Sequence, residues 1–255
     1  MGWFREWRRR RVLKDRAIVP EAWFAATASM PVLQGLSAEE RERLRALATL
    51  FLSEKSLEPV QGLELTDEMA LIVAAQAVLP ILNLGIDSYD QWHSLVLYPD
   101  EFITRREWTD EHGLVHARRD ILSGEAWERG PMVLSWADVA EAPVIDGYNP
   151  VIHECAHKLD LLNGDANGMP PLHAGMNARA WREVFEAAYE DLCRRVDAGL
   201  QTAVDPYATE SPAECFAVMS EHFFETPHAL RAAYPEVYAQ LALFYRQSPV
   251  TRIAV

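Results

Sequence analysis

Val151-Ile152-His153-Glu154-Cys155-Ala156-His157-Lys158-Leu159-Asp160 places two histidines four residues apart, with an acid directly after the first. A helix turns about 100° and rises about 1.5 Å per residue, so His153 and His157 share one face, one turn apart. Two imidazoles so placed can meet one ion. Zinc takes neutral imidazole nitrogen in a tetrahedral shell, and a catalytic site keeps its fourth position for water. Glu154 then stands beside that water as a general base. Asn149 is a favoured N-cap, Pro150 suits the first helical position, and Asn163-Gly164 supplies a stop. These limits predict a helix of about 13 residues, near 20 Å long. Cys155 lies about 200° round from His153 and should pack away from the ion as a small apolar residue. The flanks Val151, Ile152, Leu159, Leu161 and Leu162 imply a buried helix, and buried imidazoles need partners.

Around that stretch lie 255 residues, 49% hydrophobic and 24% charged, an ordinary folded composition with length for one large domain or two small ones. Cysteines at 155, 193 and 215 form no regular framework, and the first residues lack the apolar core of a signal peptide, so a reducing cytoplasm is expected. The longest apolar run, Ala70 to Ile86, is interrupted by Gln76, Pro80 and Asn83 and reads as a buried helix, not a membrane span. A net charge of -14 argues against direct nucleic-acid binding. The exception is residues 1–16, where Arg5, Arg8, Arg9, Arg10, Arg11, Lys14 and Arg16 outweigh Glu6 and Asp15 for a local +5. Interleaved with Trp3, Phe4 and Trp7, this segment suits an acidic partner, anionic lipid, the protein's own acidic body or solvent.

After Pro20 a linker with Pro31 and Gly35 is expected, followed by a helix announced by the capping box Ser37-x-x-Glu40 and continued by Leu44, Leu47, Leu50 and Phe51. A second helix should start after Thr66, run to Pro80 and pack on the first. The period then changes: Ser94 to Tyr98, Phe102 to Trp108, Leu114 to Ala117 and Pro131 to Trp136 read as strands, the middle pair as a hairpin turning at Asp110 to Gly113. Residues 164–175 read as a surface loop beside the site. Arg179 to Arg195 is an amphipathic helix with Trp181, Val184, Phe185, Ala188 and Leu192 inward, and helices from about Pro212 to Glu225 and Pro235 to Tyr245 close the chain. Helices with a central group of strands suggest α+β.

A site of this kind needs one more ligand from outside the first helix. Glu214 is the leading candidate, although Ser211-Pro212-Ala213-Glu214 is equally a capping box with proline at the first helical position. Glu210, Asp205 and His173 are rivals. Together, His153 through Asp160, Asn163-Gly164-Asp165, and Pro212-Ala213-Glu214-Cys215-Phe216-Ala217-Val218-Met219-Ser220-Glu221 resemble the Mlc titration factor A family of zinc peptidases. Pro59-Val60-Gln61-Gly62, Tyr98-Pro99 and Gly113-Leu114-Val115-His116 extend the similarity over most of the chain beyond about residue 30. That family belongs to the gluzincins, and its catalytic part is similar to that of anthrax lethal factor, in which a tyrosine also precedes the ligand glutamate by seven residues.

The resemblance implies a zincin-like α+β fold with a helical frame and a small mixed sheet ahead of the metal helix. It also implies a cytoplasmic zinc peptidase with aminopeptidase-like activity, and a transcriptional repressor of the Mlc kind as a partner besides the peptide substrate. Carried over residue by residue, His153, His157 and Glu214 would hold one Zn2+ per chain, Glu154 would be the base and Tyr207 the oxyanion donor. Thermolysin-like gluzincins place an Asp four residues after the ligand Glu, whereas Val218 stands there in this sequence. Asp160 or Glu221 would then supply the outer hydrogen bond to a histidine. A basic segment and linker over 1–30 would precede a peptidase domain over 31–255, with a helical and strand part (31–148) and a metal-binding helical part (149–255). The apolar strand near Met132 to Ser135 is expected to align an extended peptide by backbone pairing. The competing expectation is a non-catalytic zinc-containing protein that sequesters a transcription factor.

Overall fold

The computed structural model describes residues 2–100, 102–109, 115–122, 124–126, 130–141 and 144–253, the strands between 102 and 126 by their backbone alone. The first half runs α1 (Gly2–Asp15), α2 (Pro20–Thr27), α3 (Ala38–Glu54), β1 (Ser56–Pro59), α4 (Asp67–Val78) and β2 (Ser94–Tyr98). Then come β3 (Phe102–Thr109), β4 (Val115–Leu122), β5 (Gly124–Ala126), β6 (Met132–Ser135) and α5 (Trp136–Ala140). The second half is helical: α6 (Pro150–Asp160), α7 (Ala178–Asp197), α8 (Pro212–Glu225), α9 (Pro227–Ala233) and α10 (Pro235–Tyr245). The fold is α+β.

Local chemistry sets the principal helix starts. Ser37 and Glu40 exchange both bonds of the capping box at α3. Thr66 accepts from Met69 N at 3.2 Å to begin α4, and the two helices pack on one another as expected. In the sheet, β1, β2 and β6 are parallel, and β5 adds an antiparallel edge beyond β6. Leu95 stands opposite Met132 and Leu97 opposite Leu134; all four are buried, as the period-2 alternation of β2 requires. The hairpin of β3 and β4 forms its own antiparallel ladder. Its expected turn at Asp110 to Gly113, and Leu114 after it, lie outside the described residues.

Three expectations are corrected. Residues 20–27, read as the start of a linker, form α2, which buries Trp23 and Ala26. Trp136 leaves the strand to open α5, because Ser135 Oγ caps the amide of Asp138. Met132 to Ser135 is not an edge: β6 lies between β2 and β5, so both of its sides are paired.

The basic start of the chain is helical as well. Arg9 grips Glu54 of α3 with a fork, Nε to Oε1 at 2.6 Å and Nη2 to Oε2 at 3.0 Å. It also pairs with Asp87 and Asp90, as does Arg5, and Val12 and Leu13 pack on the core. One face of α1 is therefore held by the protein's own acids. Among the described residues no helix is long and apolar enough to cross a membrane.

The site helix sits in the middle of this frame. On one side α6 meets α4, where the Cys155 thiol lies 3.6 Å from the Ala77 carbonyl, buried and turned from the histidines as its spacing predicts. On the other it meets α8, backed by Trp181, Phe185, Phe216 and Phe244, whose rings stack or meet edge-on at 4.5–6.1 Å. Lys158 Nζ donates to the Gly130 carbonyl at 3.0 Å and ties α6 to the residues entering β6.

Candidate metal centre and cleft

The site begins with the start of α6. Asn149 Oδ1 accepts from Ile152 N at 3.0 Å, Pro150 occupies the first turn, and Gly164 (φ 127°) closes the chain after a 3-10 turn over Leu161–Asn163. His153 and His157 thus project from one face with their Nε2 atoms 3.1 Å apart. From α8, Glu214 Oε2 reaches within 3.0 Å of His153 Nε2 and 3.2 Å of His157 Nε2. A tetrahedral shell with arms of about 2.0 Å sets its donors about 3.3 Å apart, so the three atoms fit around a metal ion. Among the described residues, His153, His157 and Glu214 are the group of such side chains that can hold one.

Only the serine half of the capping box at the start of α8 forms. Ser211 Oγ accepts from the backbone N–H of Glu214 at 3.2 Å, which leaves the carboxylate free to turn toward the histidines. The rivals stand outside this donor group. His173 Nε2 donates to the Phe244 carbonyl at 2.7 Å, Asp205 caps the 3-10 turn over Pro206–Thr209, and Glu210 ends that turn.

The outer hydrogen bond comes from Glu221, whose Oε1 lies 2.7 Å from His153 Nδ1. Glu214, Glu221 and Glu225 are 7 and 11 residues apart, about 20° to either side of one line along α8, so all three look toward α6. Asp160 is fully buried and not solvated; its Oδ2 accepts from Gly168 N at 2.7 Å and pins the following loop. Sequence reasoning missed the layer beneath. Asn149 donates its backbone N–H to Glu221, and its Nδ2 reaches Gln76 Oε1 and Glu225 Oε1, both at 2.9 Å. Acids at 7 and 11 residues from Glu214 in a largely apolar helix were the available signal.

Burial disfavours a charged His153, yet Glu221, Glu214 and Glu154 outweigh it and hold its pKa well above the usual value. Burial likewise opposes ionisation of Glu214, but the hydrogen bonds from both histidines overcome it and hold the acid well below the carboxylate range. Glu154 is different. Burial pushes its pKa up to about 7 against the pull of His153 and His157, and its Oε2 has no hydrogen-bond partner. Deeper still, burial raises Glu225 to about 8.

A cleft of about 640 Å³ opens on this centre, lined by Asp146, Tyr148, His153, Glu154, Tyr207 and His222 among others. Tyr207 is 41% exposed with its ring 6.1 Å from that of His153, so it borders the cleft and is not a core residue. His222 sits at the wall. Burial lowers its pKa to about 4, its Nε2 accepts from Asp205 N at 3.4 Å, and its Nδ1 lies 2.7 Å from Thr226 Oγ1. Gly147 (φ 94°) lies against that ring, where a Cβ would stand 2.3 Å from Cε1, so this wall accepts only glycine without rearrangement.

The family described as glucose-regulated metallo-peptidase M90 matches residues 4–246. Mlc titration factor A of Pectobacterium atrosepticum is 42% identical over 238 residues, covering 91% of this chain and 88% of that protein. Mlc titration factor A of Serratia proteamaculans is 42% identical over 228 residues (88% and 87%), and that of Cronobacter sakazakii 39% over 239 (93% and 90%).

Proposed function

The chain belongs to the glucose-regulated metallo-peptidase M90 family, and from that premise we propose that it is a zinc peptidase of the zincin kind, cleaving peptide bonds in an aminopeptidase-like manner. The observation that carries the reading is Glu154, a buried carboxylate with an unpartnered oxygen, set beside three converging donors at a cleft. A structural zinc site closes its shell with four protein ligands and has no use for such an acid.

In this reading His153, His157 and Glu214 hold the ion, and Glu221 fixes the tautomer of His153 through Nδ1. A bound ion would supply Lewis acidity toward water and a carbonyl oxygen. Glu154 takes the proton of the attacking water and passes it to the leaving amine. Tyr207 donates its hydroxyl to the oxygen that gains charge as the carbonyl becomes tetrahedral. Because β6 is paired on both sides, an extended peptide would pair instead with the outer side of β5, the edge strand among the described residues that packs on α6. In the proposed division the first 30 residues precede the peptidase domain at 31–255 but pack on it, with Trp23 and Ala26 inside the shared core and only the outer face of α1 left over. The relatives' name connects them with Mlc, and a repressor of that kind in the cytoplasm is the proposed protein partner.

The test is metal analysis joined to peptide hydrolysis. We expect about one zinc per chain, hydrolysis of peptides with a free amino end, loss of activity on chelation and its return with zinc. A zinc-loaded chain that binds the repressor but hydrolyses nothing would establish the regulatory alternative. Tyr207→Phe removes only a hydroxyl from an exposed ring. Its kcat should fall by about 10 to 10³, with KM and thermal midpoint little changed. An unaltered kcat would remove Tyr207 from the mechanism.

A further inference from the structure

The outer face of α1 is unlike the rest of this acidic molecule. At 100° per residue, Trp3, Phe4, Trp7, Arg10, Arg11 and Lys14 fall within a sector of about 120°, and Arg5, Arg9 and Val12 point the opposite way. The structure agrees: Arg5 and Arg9 face Glu54, Asp87 and Asp90, while Trp3 and Phe4 are 79% and 65% exposed. Trp7 stacks on Phe4 with ring centroids 5.9 Å apart and carries the Arg11 guanidinium 5.8 Å above its own ring. The helix is thus a clamped ridge, with aromatic rings along its first two turns and basic side chains along the next two. Glu6 pairs with Arg10 at 3.8 Å and Asp15 with Arg11 at 3.2 Å, but exposed pairs of this kind are weak and leave the cations available.

We propose that this face docks the protein on membrane surfaces containing anionic lipid. Tryptophan and phenylalanine suit the headgroup boundary, and basic side chains beside them add attraction to acidic headgroups. Binding of a helix at the interface scales with the apolar area it buries plus its attraction to anionic lipid, and this face offers both. A convex ridge offers a protein partner no groove, whereas a soft interface needs none. The net charge of -14 does not oppose docking, because repulsion from the acidic body is screened beyond about 8 Å at physiological salt and α1 lies at the periphery. Arg5 and Arg9, spent on the body, hold the ridge outward.

Flotation of the full, metal-loaded chain with vesicles of 70% phosphatidylcholine and 30% phosphatidylglycerol tests this. Binding should exceed that to pure phosphatidylcholine by about 10-fold and weaken as salt rises. The Trp3→Ser/Phe4→Ser/Trp7→Ser and Arg10→Glu/Arg11→Glu variants should each lose about 10-fold or more of that binding, with thermal midpoint and peptidase activity unchanged. Wild type that stays off the anionic vesicles would overturn the proposal, as would variants that bind them equally well. Retention by poly-glutamate without flotation would also overturn it, assigning the ridge to an acidic protein.

Discussion

Glu154→Gln is expected to keep its metal and its fold while turnover falls by about 10² to 10⁴, the range that general-base removal costs. Glutamine fills the same volume and keeps one oxygen, so the buried position, only 3% exposed, stays packed. What it cannot do is accept a proton. The carboxylate is suited to that transfer: burial lifts its pKa to about 7, and its Oε2 is buried without a hydrogen-bond partner. A value of about 7, with the pull of His153 and His157 included, leaves Glu154 about half ionised at neutral pH, and a bound cation would draw it lower, so activity should decline on the acid side of 7. The residual rate of the glutamine variant should lack that acid limb. A pH–rate profile and metal analysis on the same preparation decide the matter: undiminished hydrolysis would sink the mechanism, and lost metal would make Glu154 a structural acid.

The helix bearing these groups was legible because its limits are local. Asn149, Pro150 and Gly164 act within a turn of the residues they cap. The same holds for Ser37 before α3 and Thr66 before α4. What escaped depends on distant partners. The inner face of α1 has little apolar periodicity because it is fixed by Arg5 and Arg9 on acids more than forty residues away, which no window of sequence contains. The helix α2 buries only Trp23 and Ala26, too few to register as a stripe. Asn149 announced its cap, but not its bonds to Gln76 and Glu225 across 73 and 76 residues. Local physics could not choose the third donor either, since Ser211 explains Glu214 as a cap equally well; only the packing of α8 on α6 sends the carboxylate to the histidines.

That packing gives Glu214→Ala its expected result: a chain that folds and holds almost no metal. The backbone N–H at 214 is what Ser211 accepts from, so alanine preserves the cap, and α8 keeps its apolar contacts with α6 and α7. The donor set, however, drops from three to two, and two imidazoles on one turn of helix cannot close around an ion. The loss should exceed the roughly 10- to 100-fold that removal of an outer partner costs, which is the effect expected of Glu221→Ala, where His153 loses its Nδ1 partner but keeps Nε2. Glu210→Ala provides the control, since that residue ends a 3-10 turn and lies outside the donor group. Metal content by mass spectrometry after dialysis, with circular dichroism on each variant, separates the cases. A Glu214→Ala protein that retained one equivalent while Glu210→Ala lost it would transfer the third position to Glu210 and leave Glu214 as the first-turn acid of α8.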